Sequence, residues 1–174
     1  MTKLDARMSP GWGAHRLLAL TLVASLLGCA TPPPRTNEPP ASVAKRDALH
    51  RLGFDETSDG WEMDLAASTR FQVDNWELSA EERANLLRIG SVLLSVGVER
   101  VTVEGHTDGS GPRDHNLRLA ELRAKAVALV LVEAGYTPGN IATHAFGASR
   151  PVADNATQSG RHSNRRAVII VPSL

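Results

Sequence analysis

The sequence predicts an α+β fold, a two-layer sandwich in which a mixed four-stranded sheet carries two main helices on one face. Three observations predict it. Val101, Thr102, Val103 and Glu104 alternate apolar and polar as a strand does, and Ala167–Val171, AVIIV, is an apolar run suited to a strand buried on both faces. Two long segments, one before Val101 and one between these two strands, carry apolar residues at helical spacing. The resulting order of strand, helix, strand, helix, strand, loop and strand packs as one sheet with its helices on the same side.

The elements are justified in order along the chain. Lys3, Arg7 and Arg16 precede the apolar run Leu17–Leu27, which suits a signal peptide and is too short to span a bilayer. Met1 and Met8 both remain candidate starts. Residues 1–28 are read as that signal and 29–44 as a tether, since Pro32, Pro33, Pro34, Pro39 and Pro40 favour extended chain. At about 3.1 Å per residue the tether reaches on the order of 45 Å. Residues 45–60 are assigned to a short helix, begun at Val43 and ending near Leu52, and a connecting segment; residues 61–174 form the main domain. Trp61–Leu65 alternates as a strand, and Phe71 and Val73 suggest that it resumes after an irregularity at 67–69. Ser79 and Glu82 make a capping box that opens the first long helix, where Leu86, Ile89, Leu93 and Val96 recur at helical spacing. The second helix runs from about Asp114 to Ala134 and stops at Gly135. Ile141–Phe146 reads as the third strand and Ala167–Val171 as the last.

Chemistry concentrates in Glu104–Ala124, EGHTDGSGPRDHNLRLAELRA. Asp108 lies beyond the end of a strand, in turn chemistry. Asn116 and Arg123 stand seven residues apart on the following helix, so their side chains share a face on which Ala120 leaves room. A carboxylate, an amide and a planar guanidinium can grip an amino acid group from both ends, Asp108 taking the ammonium and Arg123 the carboxylate. Spacing alone favours the plainer alternative, an internal Asp108–Arg123 salt bridge.

GHTDxxG, then Asn116, Leu119, Arg123 and Ala124 as NxxLxxxRA, then Gly160, Arg161 and Asn164–Arg166 as GRxxNRR, resembles the OmpA-like peptidoglycan-binding domain. The resemblance implies that Asp108 and Arg123 hold the amino and carboxylate groups at the free end of diaminopimelate in the cell-wall stem peptide. It further implies that Thr107, Asn116 and Arg165 line the same pocket. The chain departs from the family pattern at His115, where Tyr is frequent, at Ala120, often Ser, and at Gln72, often Asp. Leu26-Leu27-Gly28-Cys29 resembles a bacterial lipobox, which makes Cys29 the acylated first residue of the mature protein, palmitate among its chains. Several acyl chains, each burying methylenes at about 0.8 kcal/mol apiece, give permanent anchoring. With Ala30 rather than Asp after the Cys, the family's sorting rule implies the outer membrane, facing the periplasm.

Other function classes have little support. The balance of 19 basic and 19 acidic residues, with no basic stripe, argues against nucleic acid. His106, Asp108 and His115 lack any HExxH or CxxC spacing, so no metal or other cofactor is expected. No nucleophile elbow or paired acid and base suggests an enzyme. Two binding readings remain. One is a structural tether of outer membrane to wall. The other follows from a likeness to a signalling lipoprotein within the family, which captures a periplasmic inhibitor and so activates a diguanylate cyclase that makes cyclic di-GMP. For that role Leu49, Phe54 and Trp61 are the candidate partner surface, three large apolar side chains in a segment where a two-layer domain has little core to offer. A second copy of the chain is a further candidate partner.

Overall fold

The computed structural model describes residues 41–67 and 71–173. The predicted signal peptide, Cys29 and most of the tether lie outside the described residues. So does most of the irregularity expected at 67–69. Among the described residues the order is α1 (Ala41–Leu52), β1 (Asp55–Thr57), β2 (Gly60–Asp64), α2 (Ala80–Ser95), β3 (Val101–His106), α3 (Arg113–Glu133), β4 (Ile141–Gly147), α4 (Gln158–Asn164) and β5 (Ala167–Pro172).

The predicted α+β sandwich is present, with five strands rather than four in the order β1-β2-β5-β3-β4. β5 lies between β2 and β3, antiparallel to both, which is why AVIIV is apolar on both faces. β3 and β4 are parallel and joined through α3. Alternation decides which strand face meets the helices: Val101 and Val103 enter the core with Leu86, Ile89 and Leu93 of α2 and Val127, Val130 and Leu131 of α3. The capping box forms as read, Ser79 Oγ accepting from the Glu82 N–H at 3.2 Å and Glu82 Oε2 from the Ser79 N–H at 2.7 Å. α3 ends at the predicted glycine, since Gly135 adopts φ 114°, a conformation open chiefly to glycine.

Three expectations are corrected. β1 was not foreseen, because DET has no apolar alternation; it is a polar, exposed edge strand paired to β2. Phe71–Val73 is not a strand but the start of an irregular segment, and its carbonyls go to arginine side chains instead of a neighbouring strand. The expected loop before the last strand contains α4, capped by Thr157, whose Oγ1 accepts from the Gly160 N–H at 3.0 Å.

The exposed cluster expected at Leu49, Phe54 and Trp61 is also corrected. These residues are 0%, 2% and 2% exposed and belong to the core. Helix α1 supplies the missing cover. It packs against α2, anchored by Lys45 Nζ donating to the Gly97 carbonyl at 3.1 Å, and its last turn hands over to Phe54 through the Phe54 N–H to Leu49 carbonyl bond at 3.0 Å. His50 meets Trp61 edge-on with ring centroids 4.7 Å apart. The apolar surface of Leu49, Phe54 and Trp61 is thus packed together with a helix too short to be stable alone.

Candidate functional site

The site is built where β3 delivers the chain to the top of the sheet. Gly105 allows the delivery: a Cβ there would stand 1.9 Å from the Ala120 carbonyl oxygen, so strand and helix touch backbone to backbone. Two residues beyond β3, Asp108 closes a turn by accepting the Ser110 N–H on Oδ1 at 2.9 Å. Asn116, one turn into α3, holds that turn from beneath, with Nδ2 donating to the Ser110 carbonyl at 2.8 Å and the Asp108 carbonyl at 3.5 Å.

Arg165 arrives from the other side, at the end of α4. Its Nη1 donates to Asp108 Oδ2 at 2.9 Å, its Nε to the Phe71 carbonyl at 3.2 Å, and its Nη2 to His162 Nδ1 at 3.0 Å. Burial pushes the Asp108 carboxyl upward, but the hydrogen bonds from Arg165 and Ser110 outweigh it and hold the group below the usual carboxylate range. Asp108 is therefore an anion at neutral pH, paired with a cation at the wall of a cavity.

That cavity has a volume of about 390 Å³. Its charged and polar lining comes from Asp108, Thr107, Asn116, Arg123 and Arg165, the five predicted pocket residues, together with Asp74 and His115 at the mouth and Val73, Pro112 and Leu119 as apolar wall. Thr107 is 3% exposed, and its hydroxyl has no hydrogen-bond partner. A buried hydroxyl in a cavity wall without a partner is a group that a ligand can satisfy.

Arg123 differs from the expectation of a free guanidinium. It is fully buried, and Nε, Nη1 and Nη2 donate to the carbonyls of Asn75, His106 and Gln72 at 3.0, 2.9 and 3.0 Å. The ring of Phe71 lies 4.9 Å from its guanidinium carbon. Burial, and then the positive charge of Arg165, push Arg123 down to about 10, still a cation at neutral pH. Among the described residues no Asp108–Arg123 salt bridge forms; Arg165 is the ion-pair partner of Asp108. The spacing argument identified the right face of α3 but could not see that Arg165, 57 residues from Asp108 in the chain, would take the pairing role.

The GRxxNRR segment proves to be a brace for this site. Gly160 passes so close to the Asp154 carbonyl oxygen that a Cβ would stand 2.0 Å from it. Arg161 Nη1 donates to the Asn155 and Ala156 carbonyls. Asn164 accepts the Val152 and Ala153 N–H groups and donates to Asn155 Oδ1, which in turn accepts the Gly109 N–H at 2.9 Å. The last of these bonds reaches the turn that presents Asp108. Sequence reasoning missed Val73 and Asp74 because their segment was read as strand, and it noted His115 only as a departure from pattern. Cys29 lies outside the described residues. Among those residues no group of three or more His, Cys, Asp or Glu is placed to hold a metal ion, and no helix is long and apolar enough to cross a membrane.

Comparison with known proteins decides the lineage. The OmpA family matches residues 70–165, more than half of the chain. The chain belongs to the OmpA family. It is 41% identical to the outer-membrane lipoprotein YfiB of Pseudomonas aeruginosa over 98% of this chain and 99% of that protein. It is 31% identical to the peptidoglycan-associated lipoprotein of Buchnera aphidicola over 67% of this chain and 66% of that one. Among solved structures, the cell wall anchor of the Pseudomonas aeruginosa T6SS superposes with a TM-score of 0.61 at 26% identity, covering 78% of this chain and 99% of that one. The OmpA-family match spans every pocket residue named above.

Proposed function

We propose that the chain is a lipoprotein of the outer membrane, acylated at Cys29 and facing the periplasm, that holds peptidoglycan without a covalent bond through the zwitterionic end of diaminopimelate. The observation that carries this is the Asp108–Arg165 pair in the wall of a cavity beside the unpartnered hydroxyl of Thr107. A zwitterion exchanges like for like: its ammonium takes the place of the Arg165 hydrogen bond on Asp108, and its carboxylate receives the guanidinium that is released. Arg123 contributes buried positive charge beneath the same cavity, and Asn116 keeps the acid aimed. The names of the relatives support wall association and membrane anchoring; nothing in this arrangement calls for catalysis.

The test is calorimetry of the protein with a soluble stem peptide containing meso-diaminopimelate, with the lysine-containing peptide as control. Lysine lacks the second carboxylate, so only the first peptide should bind. Asp108→Asn removes a charged hydrogen bond worth about 1.5–3 kcal/mol and should weaken binding by about tenfold or more. Equal binding by wild type and variant, or equal binding of both peptides, overturns the reading.

The likeness to YfiB favours a second, finer reading: capture of a periplasmic inhibitor similar to YfiR, which frees a diguanylate cyclase to make cyclic di-GMP. The simpler reading is a tether like the peptidoglycan-associated lipoproteins, with or without a homodimer. Titration with a YfiR-like protein, in the presence and absence of wall fragments, separates them. A sensor requires wall and inhibitor to strengthen each other's binding reciprocally; a tether requires no inhibitor binding at all.

A further inference from the structure

The irregular segment 71–78 is attached to the pocket in two different ways. Its buried attachments come from the two arginines: Arg123 donates to the carbonyls of Gln72 and Asn75, and Arg165 donates to that of Phe71. Arg123 is fully buried and the Arg165 side chain only 11% exposed, so these donors face little competition from water. The third attachment is exposed. Asp74 Oδ1 meets His115 Nε2 at 2.7 Å, with side chains that are 66% and 45% exposed. This contact runs from the segment to the first turn of α3, and both residues line the cavity mouth.

Asp74 reaches His115 from a left-handed backbone, φ 56°, and is the one non-glycine residue with positive φ among those described. Asp tolerates that region better than most residues but still pays for it. Val73 beside it is 70% exposed, a large apolar side chain left at the rim with nothing packed over it. The Asn75 N–H donates to the Gln72 carbonyl at 3.3 Å, so the buried bonds pin both sides of a turn whose tip, residues 73 and 74, is held only by the weak exposed pair and can move without releasing the base.

We propose that Asp74 and His115 form a latch across the mouth of the pocket, which sets how long a bound wall peptide is retained. Both are positioning residues. They act by holding the turn at residues 73 and 74, with Val73 at its edge, against an occupied cavity; they do not grip the charged end of the ligand. The inference rests on the reading that this cavity is the ligand site, and it assigns a role to His115, the position at which the chain departs from the family's Tyr.

The experiment uses the full chain in detergent and the soluble diaminopimelate stem peptide, with dissociation followed by stopped flow. His115→Ala and Asp74→Gly break the latch, the second without disturbing the left-handed backbone. Each should raise the dissociation rate by about threefold to fivefold, the scale of one exposed hydrogen bond. His115→Gln keeps an N–H donor at the same reach and Asp74→Asn keeps the acceptor, so both should dissociate at the wild-type rate. A merely structural role would not produce that pairing of loss and rescue. Unchanged dissociation in His115→Ala, or equal loss in His115→Gln, overturns the proposal. If wild type fails to bind the peptide, the ligand reading falls separately. The latch is then judged without ligand by amide hydrogen exchange of residues 71–78, where faster exchange in His115→Ala supports it and an unchanged rate refutes it.

Discussion

Acidification should destabilise this domain through His106 before its carboxylates are protonated. His106 is 1% exposed, neither ring nitrogen makes a hydrogen bond although Glu104 Oε2 stands 3.4 Å from Nε2, and its ring stacks on Phe146 with centroids 5.5 Å apart. Desolvation, then the positive charges of Arg166 and Arg150, push it down to about 3 from an ordinary value of 6.5. The unfolded chain therefore binds a proton that the native state refuses between these two values. Native stability contributed by the neutral ring is complete above pH 6.5 and falls as pH drops, by about 1.4 kcal/mol per unit once well below 6.5. From pH 6 to pH 4.5 the loss is on the order of 2 kcal/mol, a sizeable share of a stability of about 5–15 kcal/mol. Glu104 acts in the opposite sense, because burial raises its carboxyl and acid relieves that cost. The assay is urea unfolding of wild type and His106→Phe at several pH values, the Phe keeping the stack on Phe146. Subtracting the two curves removes the surface carboxylates to first order and isolates His106 together with its neighbour Glu104. The difference should grow as pH falls, and parallel curves would refute the argument that a buried neutral imidazole governs the acid limb.

Three further outcomes are expected. Arg123→Ala leaves three backbone carbonyls without their donors, so it should cost about 3–5 kcal/mol in denaturant unfolding, whereas an Arg123 that served only a ligand would leave stability unchanged. Gly105→Ala drives a methyl group against the Ala120 carbonyl, backbone that cannot yield, and should lower stability by about 3 kcal/mol or more while Gly139→Ala, with open space around it, does not. Cys29→Ala should be exported yet recovered in the soluble periplasmic fraction; retention with outer membranes stripped of wall would place the anchor elsewhere.

What was legible in the sequence was local chemistry repeated at a recognisable period. Ser79 and Glu82 announced α2, AVIIV announced a central strand, and Gly135 announced the end of α3, because each signal is complete within a few residues. Part of the polar pocket was legible for the same reason: Asp108, Asn116 and Arg123 sit within one turn and one helix, whereas Thr107 and Arg165 were placed there by the family resemblance. The pairing inside it was not. Arg165 comes to Asp108 across α4 and the brace of Asn164, and no pattern within either segment encodes that meeting. The segment 71–78 misled for a related reason. Phe71 and Val73 alternate as in a strand, yet one side chain stacks under Arg123 and the other is open to solvent, so the alternation reflects a strap over a buried cation and not a pleat.

The burial of Leu49, Phe54 and Trp61 constrains any partner read through them. Burying a side chain of this size stabilises a fold by roughly 1.5–3 kcal/mol, so exposing all three would cost on the order of 5–9 kcal/mol before any partner is met. Helix α1 is where that cost could be incurred selectively. It is 12 residues long, packs mainly on α2, and is tied to β1 by an exposed Arg46–Glu56 pair at 3.4 Å, whereas the sheet beneath is held by full ladders. A structural tether needs α1 to stay packed, whereas a sensor that reads through Leu49, Phe54 and Trp61 needs α1 to release, so the two readings make opposite demands on α1.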